Sequence, residues 1–196
     1  MQRLYSTTET YLQQNKVDSI SYRKKFLLLT ILFFLLRLTL AFVLELGNDE
    51  AYYWLYSQYW QWNYFDHPPM IAVWIRLFTA NLALDQFGGF IRLGSVVGCA
   101  LASWFLFKAV ALLHSEKAGW FAAVLYNVSF YSGVTAGIYT LPDSPQMVFW
   151  TLTILLIVKV TKHESRWSNW LLFGMISGLC IMSKVHGVFL WLGLGG

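Results

Sequence analysis

The amino-acid sequence predicts an all-α membrane protein, a polytopic bundle of transmembrane helices with juxtamembrane helices in its first extracytoplasmic loop. Three observations carry this prediction. Charged residues make up only 12% of the chain and hydrophobic residues 57%, whereas a water-facing domain carries about a quarter charged residues. The apolar residues gather into five runs, 26–46, 90–113, 118–137, 145–160 and 168–182, each near the length of about 20 residues that a bilayer-crossing helix needs. The basic residues stand in short clusters between those runs rather than along one face, which argues against a nucleic-acid partner and follows the bias of Lys and Arg toward cytoplasmic loops.

In chain order, residues 1–24 read as a polar, cytoplasmic N-terminal tail running into the basic cluster Arg23-Lys24-Lys25. The first run carries Arg37 near its middle, and a charge at that depth is expected to face the bundle interior. The stretch 69–84 is apolar but short, starts on a double proline and contains Arg76. If it lies flat on the outer surface, the clusters at Arg23 to Lys25, at Lys108 and Lys117, and at Lys159, Lys162 and Arg166 all fall on the cytoplasmic side. If it spans, the last two clusters land outside. The charge rule therefore predicts a juxtamembrane helix there. Both cysteines, Cys99 and Cys180, lie inside apolar runs and imply no disulfide framework. The pairs Gly94/Gly98, Gly133/Gly137 and Gly174/Gly178 have the spacing that lets helices approach closely. Asn127-Val-Ser129 matches a glycosylation sequon but falls within a span. A sixth apolar piece starts near Gly187 and the chain stops at Gly196, so residues 25–196 read as one membrane domain cut within its sixth span.

With this topology the loops around 47–69, 141–145 and Lys184 share the extracytoplasmic face. All four prolines, Pro68, Pro69, Pro142 and Pro145, sit in those loops, where a fixed φ holds the chain in a defined shape. Four constellations there could carry chemistry. Asp49-Glu50 follows the first span and opens an aromatic-rich stretch from Tyr52 to Trp62. Asp49 reads either as a helix N-cap or as a general base beside the membrane surface. Asp66-His67 is locked by the double proline and reads either as a polar turn or as a metal or phosphate contact. Asp143, between Pro142 and Pro145, caps a helix or lines a cavity. Lys184, in Ser183-Lys184-Val185-His186, snorkels to the interface or pairs with a phosphate.

Taken together, these motifs resemble the GT-C superfamily of integral membrane glycosyltransferases, in particular the bacterial branch related to protein mannosyltransferases and to lipid A aminoarabinose transferases. The resemblance rests on the order and spacing of Asp49-Glu50, Phe65-Asp66-His67-Pro68-Pro69, Pro142-Asp143 and Ser183-Lys184. It implies transfer of a sugar from a polyprenyl-phosphate donor to a lipid, glycan or protein acceptor at the outer face of a bacterial cytoplasmic membrane. Members of that family are much longer than this chain. By the same resemblance, Asp49, Glu50 and Asp143 are the expected catalytic residues, His67 and Lys184 the donor-phosphate contacts, and Asp66 a ligand of a divalent metal cation. The aminoarabinose branch usually carries lysine where His67 stands. Two rival classes stay open: a transporter or channel subunit, which would concentrate its charges near the bilayer midplane, and a carrier-lipid binder without transfer activity.

Overall fold

The structure, a computed structural model, describes residues 2–162 and 167–193, with side chains from residue 21 onward. All regular elements among the described residues are helical. They are α1 (Gln2–Val43), α2 (Asn48–Gln58), α3 (Met70–Phe78), α4 (Gly88–Leu113), α5 (Glu116–Val128), a π-helical segment (Phe130–Thr135), α6 (Ala136–Ile138), α7 (Asp143–Lys162), α8 (Trp167–Ser183), a 3-10 turn (Val185–Val188) and α9 (Phe189–Leu192).

Three stretches are long and apolar enough to cross a membrane: residues Ser21–Val43 of α1, all of α4 and all of α7. The expected tail and first span are thus one continuous helix. The expected third span is not a single rod. Glu116–Val128 and Phe130–Ile138 meet at a bend of 70°, the shape of a broken span or a re-entrant loop. The fifth, α8, has 17 residues and reaches roughly 25 Å at the usual helical rise, slightly short of a hydrocarbon core of about 30 Å. The stretch after the double proline does not span: α3 has nine residues.

α4 is the central rod, packed against α1, α5 and α7, with α8 beyond α7. The first two glycine pairs explain how closely these elements pack. A Cβ on Gly94 would stand 2.6 Å from the Trp74 ring nitrogen of α3, and one on Gly98 would stand 3.0 Å from Val148 of α7. The pair Gly174/Gly178 differs from expectation. Nothing lies within 4 Å of either Cβ position, so this glycine stripe of α8 packs against none of the described residues.

At one end of the bundle the basic clusters converge, as the charge rule requires. Arg23 pairs with Glu116 at the start of α5, Lys25 lies 4.6 Å from the Tyr22 ring and 6.0 Å from the Trp120 ring, and Lys162 donates to the carbonyl of Leu112 at 2.6 Å. A cation there meets the negative end of the α4 dipole. Arg166 lies outside the described residues. The opposite end carries the loops α1–α2, α2–α3, α6–α7 and the turn after α8, and is called the loop end below.

The loop end is built from aromatic side chains. Tyr56 and Tyr64 stack at 3.9 Å between centroids, and the Tyr64 hydroxyl donates to the Tyr56 carbonyl at 2.6 Å. With Ile71, Ala72, Ile75 and Ile91 they form a buried cluster that fastens α2 and α3 onto α4. After α3 the chain turns through three left-handed residues, Ala80, Asn81 and Leu82, at φ of 51°, 55° and 74°. Side chains disfavour that conformation. Local hydrogen bonds hold it: Leu82 N–H donates to Thr79 Oγ1 at 3.1 Å, and Arg76 donates to Asn81 Oδ1 at 2.8 Å.

Candidate active site at the loop end

The helix that opens with Asn48 starts where it does because Gly47 is its N-cap. Asp49, which the sequence offered as that cap, stands instead in the first turn and is exposed, where its charge favours the positive end of the helix dipole. Gly47, Asn48, Asp49, Glu50, Tyr139 and Leu141 line an open cavity of about 390 Å³. An exposed carboxylate on the wall of a cavity is free to accept a proton from a bound hydroxyl or amine.

Its neighbour Glu50, expected beside it in catalysis, occupies a different position. Glu50 is 1% exposed, and both of its oxygens are engaged. Arg92 of α4 donates from Nε to Oε1 at 2.8 Å and from a terminal nitrogen to Oε2. Gly47 N–H donates to Oε2 at 2.9 Å and Thr140 N–H to Oε1 at 3.0 Å. Arg92 is fully buried and also donates to the carbonyls of Leu44 and Glu45, both at 2.6 Å, which lie just past the end of α1. One buried ion pair thus ties together the end of α1, the start of α2, the start of α4 and the Thr140 loop. Its four donors satisfy the Glu50 carboxylate, and a buried charge requires that.

Asp143 is the first residue of α7 and lies nearly buried. Its Oδ1 accepts from Lys184 Nζ at 2.8 Å and from the hydroxyl of Tyr131, which stands on the π-helical segment. The two residues that the sequence assigned separately to a cavity wall and to a phosphate contact are therefore joined as a largely buried ion pair. Lys184 also lines a second cavity, of about 380 Å³, with Tyr131, Gln146, Met147, Trp150 and His186.

Asp66 is exposed, and its Oδ2 accepts from the Tyr52 hydroxyl at 2.8 Å. Tyr52 in turn accepts from Tyr56 at 2.8 Å. Among the described residues no group of three or more His, Cys, Asp or Glu side chains is placed to hold a metal ion. The described residues by themselves do not fit a divalent cation, and no step below is routed through one.

His67 and Tyr53 show that these groups share one electrostatic environment. Burial pushes the His67 imidazole below its ordinary value, Lys184 and His186 push the same way, and Asp66 and Asp143 oppose them. The Tyr53 hydroxyl is pushed up to about 12, first by burial and then by Tyr56 and the carboxylates of Asp49, Asp66 and Asp143. The two rings stand 5.7 Å apart. The charges of Asp66 and Asp143 thus reach both rings, that of Asp49 reaches Tyr53 and that of Lys184 reaches His67, while Glu50 braces the start of α2 beside them.

Three contributors escaped the sequence. Arg92 sits at the start of an apolar run and reads there as an interfacial charge; its partner is 42 positions away. Tyr131 and Tyr53 are two aromatics among many, and only the folded chain aims their hydroxyls.

A helical membrane bundle with carboxylates, an imidazole and an amine gathered at one end defines the class: a polytopic membrane protein with a polar site at the bilayer surface. The family model described as dolichyl-phosphate-mannose-protein mannosyltransferase matches residues 66–194. The chain belongs to that family, of the GT-C type, whose glycosyltransferases use sugar donors linked to a polyprenyl phosphate. No curated protein and no solved structure matches the chain.

Proposed function

We propose that this protein transfers a sugar from a polyprenyl-phosphate donor to a lipid, glycan or protein acceptor, with Asp49 as the base. The observation that carries this reading is the pairing of a free carboxylate, Asp49, with a phosphate-seeking amine, Lys184, at the same end of the bundle. The bond from the anomeric carbon to the phosphate oxygen breaks, and its electrons leave with the polyprenyl phosphate. The acceptor oxygen or nitrogen bonds the anomeric carbon from the opposite side, with inversion, and its proton passes to Asp49. Lys184 leaves Asp143 to meet the phosphate charge, and His67 donates a hydrogen bond to it. Asp143 holds the amine in place until the donor arrives. Once on the phosphate, the Lys184 charge stabilises the negative charge that develops on the leaving group.

The exposed aromatics of the α2–α3 loop, Trp62 at 82% and Phe65 at 99%, suit the headgroup level of a bilayer. The basic end lies in the cytoplasm on this reading, with the N-terminus, and the loop end faces out of a bacterial cytoplasmic membrane.

The test uses the chain in lipid nanodiscs with a radiolabelled polyprenyl-phosphate sugar and a membrane extract as acceptor source. Asp49→Asn should lower transfer by about 10²–10⁴-fold, the usual range for loss of a general base, while binding of polyprenyl monophosphate stays unchanged. Full transfer by Asp49→Asn would remove the base assignment. Binding without transfer, in the unaltered chain as well, would make the protein a carrier-lipid binder.

A further inference from the structure

Arg37 is a full charge buried at mid-span, 3% exposed, and the proposed chemistry does not use it. Its hydrogen bonds all fall on the break in the third span. Nε donates to the Gly133 carbonyl at 2.8 Å, Nη1 to Asn127 Oδ1 at 2.8 Å and Nη2 to the Asn127 carbonyl at 3.0 Å. Asn127 is held in turn, donating to Ser103 Oγ of α4 and to the Ala123 carbonyl, each at 2.8 Å. A helix that breaks inside a membrane exposes carbonyls that no water can satisfy, and this guanidinium satisfies two of them.

The break leaves no room for a larger residue at either glycine beside that side chain. A Cβ on Gly133 would stand 2.2 Å from the Asn127 carbonyl oxygen and 3.2 Å from Arg37 Nη2. A Cβ on Gly137 would stand 2.9 Å from Cys99 Sγ and 3.1 Å from Arg37 Nε. The segment between Asn127 and Gly133 carries Tyr131, whose hydroxyl reaches Asp143 and through it Lys184. A straight α-helix through residues 116–138 would have one unbroken set of backbone hydrogen bonds and no free carbonyls to accept from Arg37.

We infer that Arg37 is a positioning residue for the site: by clamping the break in the third span it holds the Tyr131 hydroxyl on Asp143, and so sets how tightly Asp143 holds Lys184. The inference rests on the proposed role of Lys184 for its meaning, but its geometry can be read without catalysis.

The experiment measures the rate at which a water-soluble amine-reactive ester acylates Lys184, read by mass spectrometry on the whole chain in nanodiscs at one fixed pH. With Tyr131→Phe the Asp143 carboxylate loses one of its two donors and is left to the ammonium alone, so acylation should slow by about threefold, the scale of one net hydrogen bond. Arg37→Gln should slow it to the same extent, and the double variant should show no further change, because residues acting through one contact are not additive. Arg37→Lys keeps the charge and can make a single bond to Asn127, so it should fall between; it also carries the test if Arg37→Gln does not fold. General loosening of the bundle would speed acylation instead. A normal rate in Arg37→Gln, a normal rate in Tyr131→Phe, additive effects, or faster acylation would each overturn the inference. Binding of polyprenyl monophosphate to the unaltered chain, measured in parallel, reports on the functional reading separately: its absence would sink that reading and leave the Arg37 result standing.

Discussion

Replacing Arg92 with methionine removes one residue and strands two sets of partners. The Glu50 carboxylate stays 1% exposed but keeps only the Gly47 and Thr140 N–H donors, and the carbonyls of Leu44 and Glu45 lose the donor they shared. Breaking a buried ion pair from one side costs about 3–5 kcal/mol, because the remaining charge is uncompensated. Each orphaned carbonyl adds a further cost of about 1–3 kcal/mol unless water reaches it. Leu44 and Glu45 are exposed, so relaxation toward solvent offsets most of that second contribution. The expected loss is therefore about 3–5 kcal/mol, or two to nearly four decades in the folding equilibrium constant. The assay is unfolding of the purified chain in mixed micelles at increasing SDS fraction, followed by tryptophan fluorescence. Glu50→Gln removes the stranded charge and keeps one oxygen to accept from one of the two N–H groups, so adding it to Arg92→Met should recover part of the loss. An Arg92→Met protein within about 1 kcal/mol of the unaltered chain would refute the reasoning, since that is the scale of an exposed pair. Losses that simply add in the double variant would refute it as well, because two members of one network must couple.

The glycine pairs give opposite expectations. Gly94→Ala forces a methyl into the Trp74 ring at 2.6 Å and Phe78 at 2.8 Å and should destabilise by about 1–3 kcal/mol, as overpacked sites do; Gly178→Ala meets nothing and should be neutral or gain up to about 1 kcal/mol from helix propensity. The same SDS titration ranks them, and the reverse order would contradict the packing described. His67 gives a pH dependence. Its folded value lies below its unfolded value because burial favours the neutral ring, so its contribution is present above the unfolded value of about 6.5 and is lost as pH falls through the folded one. Unfolding at pH 7 and pH 5 should show a slope that His67→Gln reduces; an unchanged slope would mean that the ring is not the group responsible. Topology is read by cysteine labelling in intact cells with a membrane-impermeant maleimide. Phe65→Cys, at a 99% exposed position, should label and His114→Cys at the basic end should not, with the native Cys99 and Cys180 silent because they are buried. Labelling of both positions would refute the assignment of the two loops to opposite faces.

How much of the site was legible follows from what each residue's neighbours are. Asp49, Asp66, His67, Asp143 and Lys184 stand in polar loops between apolar runs, so composition alone exposes them as exceptions. Their convergence was legible too, because the charge clusters dictate which loops share an end. The division of labour between Asp49 and Glu50 was not. The two are adjacent in sequence, yet consecutive residues point to different sides of a helix, and only the packed α4 delivers Arg92 to one of them. The bend in the third span escaped for a similar reason. Residues 118–137 carry no charged side chain, which describes a straight span as well as a broken one, and the guanidinium that clamps the break, Arg37, lies 90 positions upstream of its partner Asn127.

Hydropathy and charge therefore determined, by themselves, that the chain is a helical membrane bundle, where its helices run, and which end carries the polar loops. These are properties of segments about twenty residues long, and the bilayer selects them one segment at a time. The tertiary structure alone decided which charges are braces and which stand exposed: Glu50 on Arg92, Arg37 on the broken span, Asp143 on Lys184, and Asp49 on no partner among the described residues. The reason is that the cost of a buried charge is met by its partners, and partners drawn from separate helices have no fixed spacing in the sequence.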